Sequence, residues 1–291
     1  MISKIKQLIF LFGVLLWLSV FWKQSPFPLE LRIAACDVGQ GDAILITYGQ
    51  RHILIDAGRN NEVLECLRQE VFWGNKTIDV ALVTHWDEDH IGGFPLVLNE
   101  YAVRLWLVNP TVASTQKAQQ LFSQIKDSVI FPIAGDEIVF PGIRIRILWS
   151  EASRQGIQYT REGDQNQQSI AVLIQTESFG FFGTGDLECP EQLAIKDLQL
   201  LDSPQIIKIA HHGAKNGLCP EVLQGLRPEV GIISVGEGNS YDHPHTETLQ
   251  ILDTYGVFLR RTDVHGQSVM VWGPHFKDIL LENPTKEMSL F

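Results

Sequence analysis

The stretch Val83-Thr84-His85-Trp86-Asp87-Glu88-Asp89-His90-Ile91-Gly92-Gly93 constrains this chain more than any other. An apolar run, Asp79-Val80-Ala81-Leu82-Val83, leads into it and reads as a short buried strand. Two imidazoles and three carboxylates then fall between His85 and His90. Asp and His are poor strand formers and costly to bury unpaired, so packing does not account for this density. A divalent metal at the open C-terminal end of a strand does. A solvated acidic loop is the alternative. Gly92-Gly93 closes the run, where a turn with positive φ is expected.

Strand and helix periodicities alternate along the rest of the chain. Strands are expected at Leu29–Cys36, Ala43–Tyr48 and His52–Ile55, with Gly49-Gln50-Arg51 as a hairpin turn. A helical stripe covers 61–73, and a second strand-helix series begins near Ser169. Residues Gln155–Gln168 carry no pattern and read as a surface loop. Asp37, Asp56, the His85–His90 run, Asp186, His211 and His243 all stand at expected strand ends. In a layered α/β fold, strand ends that share one edge bring such residues into one cleft. The element order predicts two sheets packed face to face with helices outside.

The N-terminus is different in kind. Lys4 and Lys6 precede the apolar run Leu8–Trp22, and Lys23 follows. Counted from Ile5, the run is near the lower end of the roughly 17–25 residues that cross a bilayer. The positive flank predicts an inner-membrane, single-pass chain with its globular part outside the cytoplasm. A cleavable signal, leaving a secreted or periplasmic protein, is the rival, but no small-x-small site follows. Residues 1–28 are thus expected as anchor or signal and 29–291 as the hydrolytic domain. Cys36, Cys66, Cys189 and Cys219 are scattered without a CxxC pair, which excludes a zinc ribbon, and are expected as free, buried thiols. The net charge of −11 argues against a surface that is basic throughout. Lys208, Lys215, Arg227, Arg260 and Arg261 are the candidates for a local basic rim.

Taken in order, His85-x-Asp87-x-Asp89-His90, Gly185-Asp186 and His211 resemble the metallo-β-lactamase superfamily, with Asp87 standing where a second His is usual. Asp37-Val38-Gly39-Gln40-Gly41-Asp42, Asn166-x-x-Ser169, His211-His212-Gly213 and Asn239-x-Tyr241-x-His243-Pro244 resemble the hydrolase domain of ComEC-type DNA-uptake proteins. The resemblance implies an αββα sandwich of two mixed sheets with outer helices, and two divalent ions. It places His85 and Asp87 on the first ion and Asp89, His90 and His211 on the second, with Asp186 bridging. His211 is preferred to His212 because it directly follows the expected strand. The usual third His of the first site is absent, and Asn166 or Ser169 occupies that region. Zinc or manganese is expected, and the oxygen-rich set shifts the expectation from zinc toward the harder manganese or magnesium.

Two such ions would convert a bridging water into hydroxide near neutral pH for in-line attack on a phosphodiester. Asp87, Asp89 and His243 are the candidate catalytic residues, His243 protonating the leaving oxygen or binding its phosphate. Asp37, Asn166, Ser169, His212 and His245 are expected to orient ligands or substrate. Asp37 has turn formation as its alternative, and Asp56 is expected to be structural. Trp86 and Phe94 are candidates to stack on bases, with core packing preferred for Phe94. The expected substrate is single-stranded DNA during uptake, with the membrane and a separate channel protein as partners. A small ester, amide or lactone substrate is the alternative within enzymes. A catalytically silent module binding DNA or a pore is the alternative outside them.

Overall fold

The computed structural model describes residues 30–72, 74–111, 114–151, 165–195 and 205–273, and the backbone of 280–282. Two mixed sheets form its centre. The first runs in the order β15-β14-β1-β2-β3-β4-β5-β6, from Leu280–Glu282, Ser268–Trp272, Leu31–Ala35, Ile44–Tyr48, Arg51–Ile55, Thr77–Val83, Ala102–Val108 and Val129–Ile130. The second runs β13-β12-β11-β10-β9-β8-β7, from Phe258–Arg261, Val230–Ile233, Ile206–Lys208, Gly180–Gly183, Ala171–Gln175, Ile143–Trp149 and Glu137–Phe140. This is the expected two-sheet α/β architecture.

Side-chain alternation explains the layering. Ile33, Ile46, Ile53 and Val80 of the first sheet meet Ile145, Val172, Phe181 and Ile206 of the second in one buried layer. The intervening residues Ala34, Leu45, Leu54 and Ala81 turn to the opposite face, against Val63 and Leu67 of the helix Glu62–Glu70 and Phe94 of the helix Phe94–Glu100. Leu173, Phe182 and Ile207 do the same on the other side, against Val222 and Leu252. With both faces of each sheet covered, the central strands read as continuous apolar runs.

Strands β3, β4 and β5 are parallel neighbours, as are β10, β11 and β12. Parallel strands place their C-termini at one edge, so Asp56, His85, Asp186, His212 and the loop 236–245 gather there. The polar run after β4 is not all loop: Glu88–Ile91 forms a short helix. Gly92 and Gly93 are not positive-φ residues, having φ of −60° and −79°. They are required by space, since a Cβ would lie 2.1 Å from Arg59 O and from Ala57 O respectively.

The cysteines correct the expectation of free thiols. Cys36 is bonded to Cys66 and Cys189 to Cys219, with Cα–Cα separations of 5.6 and 5.7 Å. The apolar N-terminal segment and residues 155–164 of the expected loop lie outside the described residues. Among the described residues no helix is long and apolar enough to cross a membrane.

Candidate metal centre

Three imidazoles converge on one carboxylate. Asp186 Oδ2 lies 3.3 Å from His90 Nε2, 3.5 Å from His212 Nε2 and 4.0 Å from His85 Nε2. All three Nε2 atoms are buried and make no aligned hydrogen bond. Asp89 Oδ2 lies 3.4 Å from His212 Nε2, and Asp87 Oδ2 lies 3.6 Å from His85 Nε2. Among the described residues four overlapping groups have donor atoms spaced for a cation: His85, His90 and Asp186; Asp89, His90 and His212; Asp42, Asp186 and His212; and Asp42, Asp56 and His90.

The opposite side of each ring shows why the Nε2 atoms point inward. His90 Nδ1 donates to Asp56 Oδ2 at 2.8 Å, and His212 Nδ1 donates to Ser234 O at 2.9 Å. Thr84 Oγ1 donates to the same Asp56 oxygen at 2.6 Å, which leaves its lone pair to accept from His85 Nδ1 at 3.1 Å. Ser169 Oγ lies 3.1 Å from His85 Nδ1 as well and accepts from the backbone N–H of Asp186 at 3.1 Å. With every Nδ1 against an acceptor, a neutral imidazole keeps its lone pair on Nε2, which is the tautomer a metal needs. Buried, unpartnered nitrogens facing carboxylates are costly unless a cation joins them, so the donor set fits divalent ions.

Electrostatics says the same. Burial lowers the readiness of His90 and His212 to carry charge. The surrounding carboxylates outweigh it, pushing His90 well above its ordinary value and His212 up to about 10. Burial would raise the Asp186 carboxyl, but the charges of His90 and His212 hold it well below the usual range. Asp89 is lowered likewise, burial being overcome by His212 and His90. These are groups that hold protons only because nothing more positive lies between them.

A second tier of charge stands behind the rings. Lys208, 1% exposed, puts Nζ 2.7 Å from Asp42 Oδ2 and 3.9 Å from Asp186 Oδ1. Asp42 Oδ1 in turn lies 3.5 Å from His212 Nδ1. Sequence reasoning assigned Lys208 to a surface rim and Asp56 to structure alone, and gave Asp42 no role. The local signals were present: Asp42 follows Gly39-Gln40-Gly41, and Asp56 directly follows the apolar run Ile53-Leu54-Ile55 and precedes Ala57-Gly58. Arg260 is buried too, so the expected basic rim loses two members.

The histidine pair is the main departure from expectation. β11 ends at Lys208, and His211 and His212 both adopt left-handed φ, 49° and 53°. This turn carries His212 into the cluster at 2% exposure and leaves His211 at the rim with its side chain 26% exposed. The His211 backbone N–H still donates to Asp186 Oδ1 at 3.1 Å, and its ring lies against Asn166 Nδ2 at 3.3 Å. Asn166 is therefore beside His211, and Ser169 is behind His85, neither being placed as a third donor to the first group.

Asp37 is exposed and accepts from Gly39 N at 3.4 Å, which is its turn-forming alternative. Trp86 and Phe94 are buried core residues, 1% and 0% exposed, and present no face to a base. His243 lies in the loop at the mouth, its ring 5.5 Å from that of His211 and 6.4 Å from that of His212. Burial and the neighbouring imidazoles of His211, His212 and His245 lower it to about 4, so it is neutral at pH 7. His245 touches the His243 ring, at 5.0 Å between centroids, and its N–H donates to Gly213 O.

Residues 36–163 match the family model described as Metallo-beta-lactamase superfamily. The chain is 26% identical over 258 residues to ComE operon protein 3 of Bacillus subtilis, covering 81% of this chain and 32% of that protein. It is 24% identical over 249 residues to Competence protein ComA of Neisseria gonorrhoeae, again covering 81% and 32%. The chain thus spans about a third of the length of these relatives. Among solved structures, the metallo-beta-lactamase fold protein YhfI of Bacillus subtilis superposes with a TM-score of 0.56 at 12% identity, over 84% of this chain and 98% of that one.

Proposed function

We propose that this chain, which carries a metallo-β-lactamase superfamily domain, is a metal-dependent phosphodiester hydrolase that acts on single-stranded DNA outside the cytoplasm during DNA uptake. The observation that carries the hydrolytic part is the convergence of the three buried Nε2 atoms of His85, His90 and His212 on Asp186 Oδ2. Similarity to a competence protein supports the substrate. Two disulfides support an oxidising compartment, and with it an exported domain held to the membrane by the N-terminal segment. A channel protein is the partner we propose, on the similarity to a competence protein.

His85, Asp87 and Asp186 would hold one ion and Asp89, His90, His212 and Asp186 the other. When bound, divalent zinc or manganese, with magnesium as the harder alternative, supplies Lewis acidity toward phosphoryl oxygens and acidifies water. The chain's own residues do the rest. Asp56, Ser234, Thr84 and Ser169 fix the ring orientations, and Lys208 balances the charge of Asp42 behind them. Asp87, with its side chain 42% exposed, is open to accept a hydrogen bond from attacking water. Asp89, 20% exposed, lines the same opening. His243, a neutral imidazole, would donate a hydrogen bond from its ring N–H to the leaving oxygen, which takes its proton from solvent.

One specific observation favours a second substrate. Lys208 and Lys215 near the site are matched by Asp42 and Glu247, so the described surface there offers little charge to a polyanion. That favours a small ester, amide or lactone. The assay that decides is cleavage of end-labelled single-stranded DNA by the purified protein with Mn²⁺, beside Asp186→Ala. Cleavage lost in the variant is expected. Turnover of small esters alone would establish the second substrate, and tight DNA binding without turnover of anything would make the chain a binding module.

A further inference from the structure

Phe72, Tyr241, Tyr255 and Phe258 are exposed aromatic residues among those described. Phe72 precedes β4, and Tyr255 and Phe258 flank the start of β13, so these three stand at strand N-termini, away from the cluster. Tyr241 alone of the four belongs to the loop at the cluster's mouth. It is 56% exposed, and one face of its ring stacks on His243 at 5.7 Å between centroids and 25° between planes. Behind His243 the rings continue inward to His212, His90 and His85, with successive centroids 6.4, 5.5 and 4.0 Å apart. Tyr241 is the outer end of a column of rings that begins in the cluster.

The backbone that carries that ring is pinned. Asn239 Oδ1 accepts from the backbone N–H groups of Tyr241 and His243, both at 3.1 Å. Its Nδ2 donates to Gly236 O at 3.1 Å and to His243 O at 2.6 Å. The N–H of His245 is tied to Gly213 O, which anchors the loop to the turn that carries His212. A loop backbone fixed in advance loses little conformational freedom when a ligand covers it.

We propose that Tyr241 is a stacking platform for an unpaired nucleobase, holding a single strand of DNA across the opening so that a neighbouring phosphodiester lies over the cluster. This rests on the phosphodiesterase reading above and adds what that reading lacks, a source of affinity that is not charge. The chain carries −11, and Asp242 adjoins the platform, so attraction for phosphates is weak. Stacking does not need that attraction, and every base has a π-face to offer. A base inside a duplex has both faces covered already, so the platform selects single strands. Among the described residues Tyr241, not Trp86 or Phe94, is the aromatic residue with an open face at the site.

The test uses the full chain in EDTA and fluorescence anisotropy with three labelled probes: an oligothymidylate, an abasic deoxyribose-phosphate oligomer of equal length and a blunt duplex. The wild type is expected to bind the oligothymidylate about 5- to 150-fold more tightly than the abasic oligomer, the range that one base–aromatic stack commands. Tyr241→Ala is expected to bring that ratio close to one, and Tyr241→Trp to keep it. A ratio unchanged in Tyr241→Ala, or near one in the wild type, overturns the proposal. Thermal melting of each variant separates loss of the platform from loss of the fold. Hydrolysis with Mn²⁺ judges the underlying reading separately. A wild type that shows the Tyr241-dependent ratio but cleaves nothing keeps the platform and removes the hydrolase. A wild type that cleaves with no such ratio does the reverse.

Discussion

Asp56 shows how much a single side chain decides here. Fully buried, it accepts from the Thr84 backbone and hydroxyl and from His90 Nδ1, so it fixes two neighbouring rings at once. Asp56→Asn replaces one acceptor oxygen with a donor and turns it against a donor. Metal affinity, measured by competition with a chelating dye, is expected to fall about 10- to 100-fold, as outer partners of metal-bound histidines do. Unchanged affinity would remove Asp56 from the site. A pH dependence follows from His212, whose ordinary value of 6.5 is raised to about 10 by Asp186, Asp42 and Asp89 against the effect of burial. A raised folded value contributes stability that is complete below the unfolded value and is lost as pH rises through the folded one. In EDTA the melting temperature should therefore fall between about pH 7 and pH 10, whereas metal affinity should rise across that range as protons cease to compete. A melting temperature in EDTA that climbs steadily with pH would contradict the placement of His212.

The residues whose meeting in one place was legible in the sequence are those set by spacing, His85, Asp87, Asp89, His90 and Asp186, while their part as ligands stands as proposed. His212 was not, because the choice between adjacent histidines turns on two left-handed residues that no pattern announces. Lys208 was hidden for a related reason. A lysine in a strand reads as a surface residue until an acid, here Asp42 from a loop far away in sequence, is seen to bury with it.

Secondary structure was easier to foresee, since both sheets have covered faces and their strands are unbroken apolar runs. Most expected strands appear within two residues of their expected ends. The short elements were not foreseen, such as Glu88–Ile91 and Val129–Ile130, because a few residues show no periodicity. The disulfides were also missed, since pairing depends on which loops meet. Each one pins a loop of the site: Cys36 opens the segment leading to Asp42, and Cys189 follows Asp186 while Cys219 follows the His212 turn. The Cys189–Cys219 bond closes a span of 30 residues. Removing it by paired replacement with serine is expected to cost about 2–4 kcal/mol. Chemical denaturation with metal present and with EDTA checks this. The loss should be accompanied by weaker metal binding, because the two tethered loops supply Asp186 and His212. Full stability in the serine variant would mean that the thiols are not paired in the protein.

At the scale of the molecule, the four-layer sandwich serves one geometric end. Parallel strands from two sheets deliver their C-termini to a single edge, and residues from five separated segments meet there. The same logic places the loop with Tyr241 and His243 over the opening. On the proposed function, a net charge of −11 leaves binding of a polyanion to the ions and to stacking. The measurement that bears most directly on the whole account is calorimetric titration of Mn²⁺ or Zn²⁺ into the purified protein, with Asp186→Ala, His212→Ala and His211→Ala alongside. We predict two bound ions in the wild type, loss of binding at both positions in Asp186→Ala, loss of one in His212→Ala, and two in His211→Ala. Wild-type uptake by Asp186→Ala and His212→Ala would contradict it.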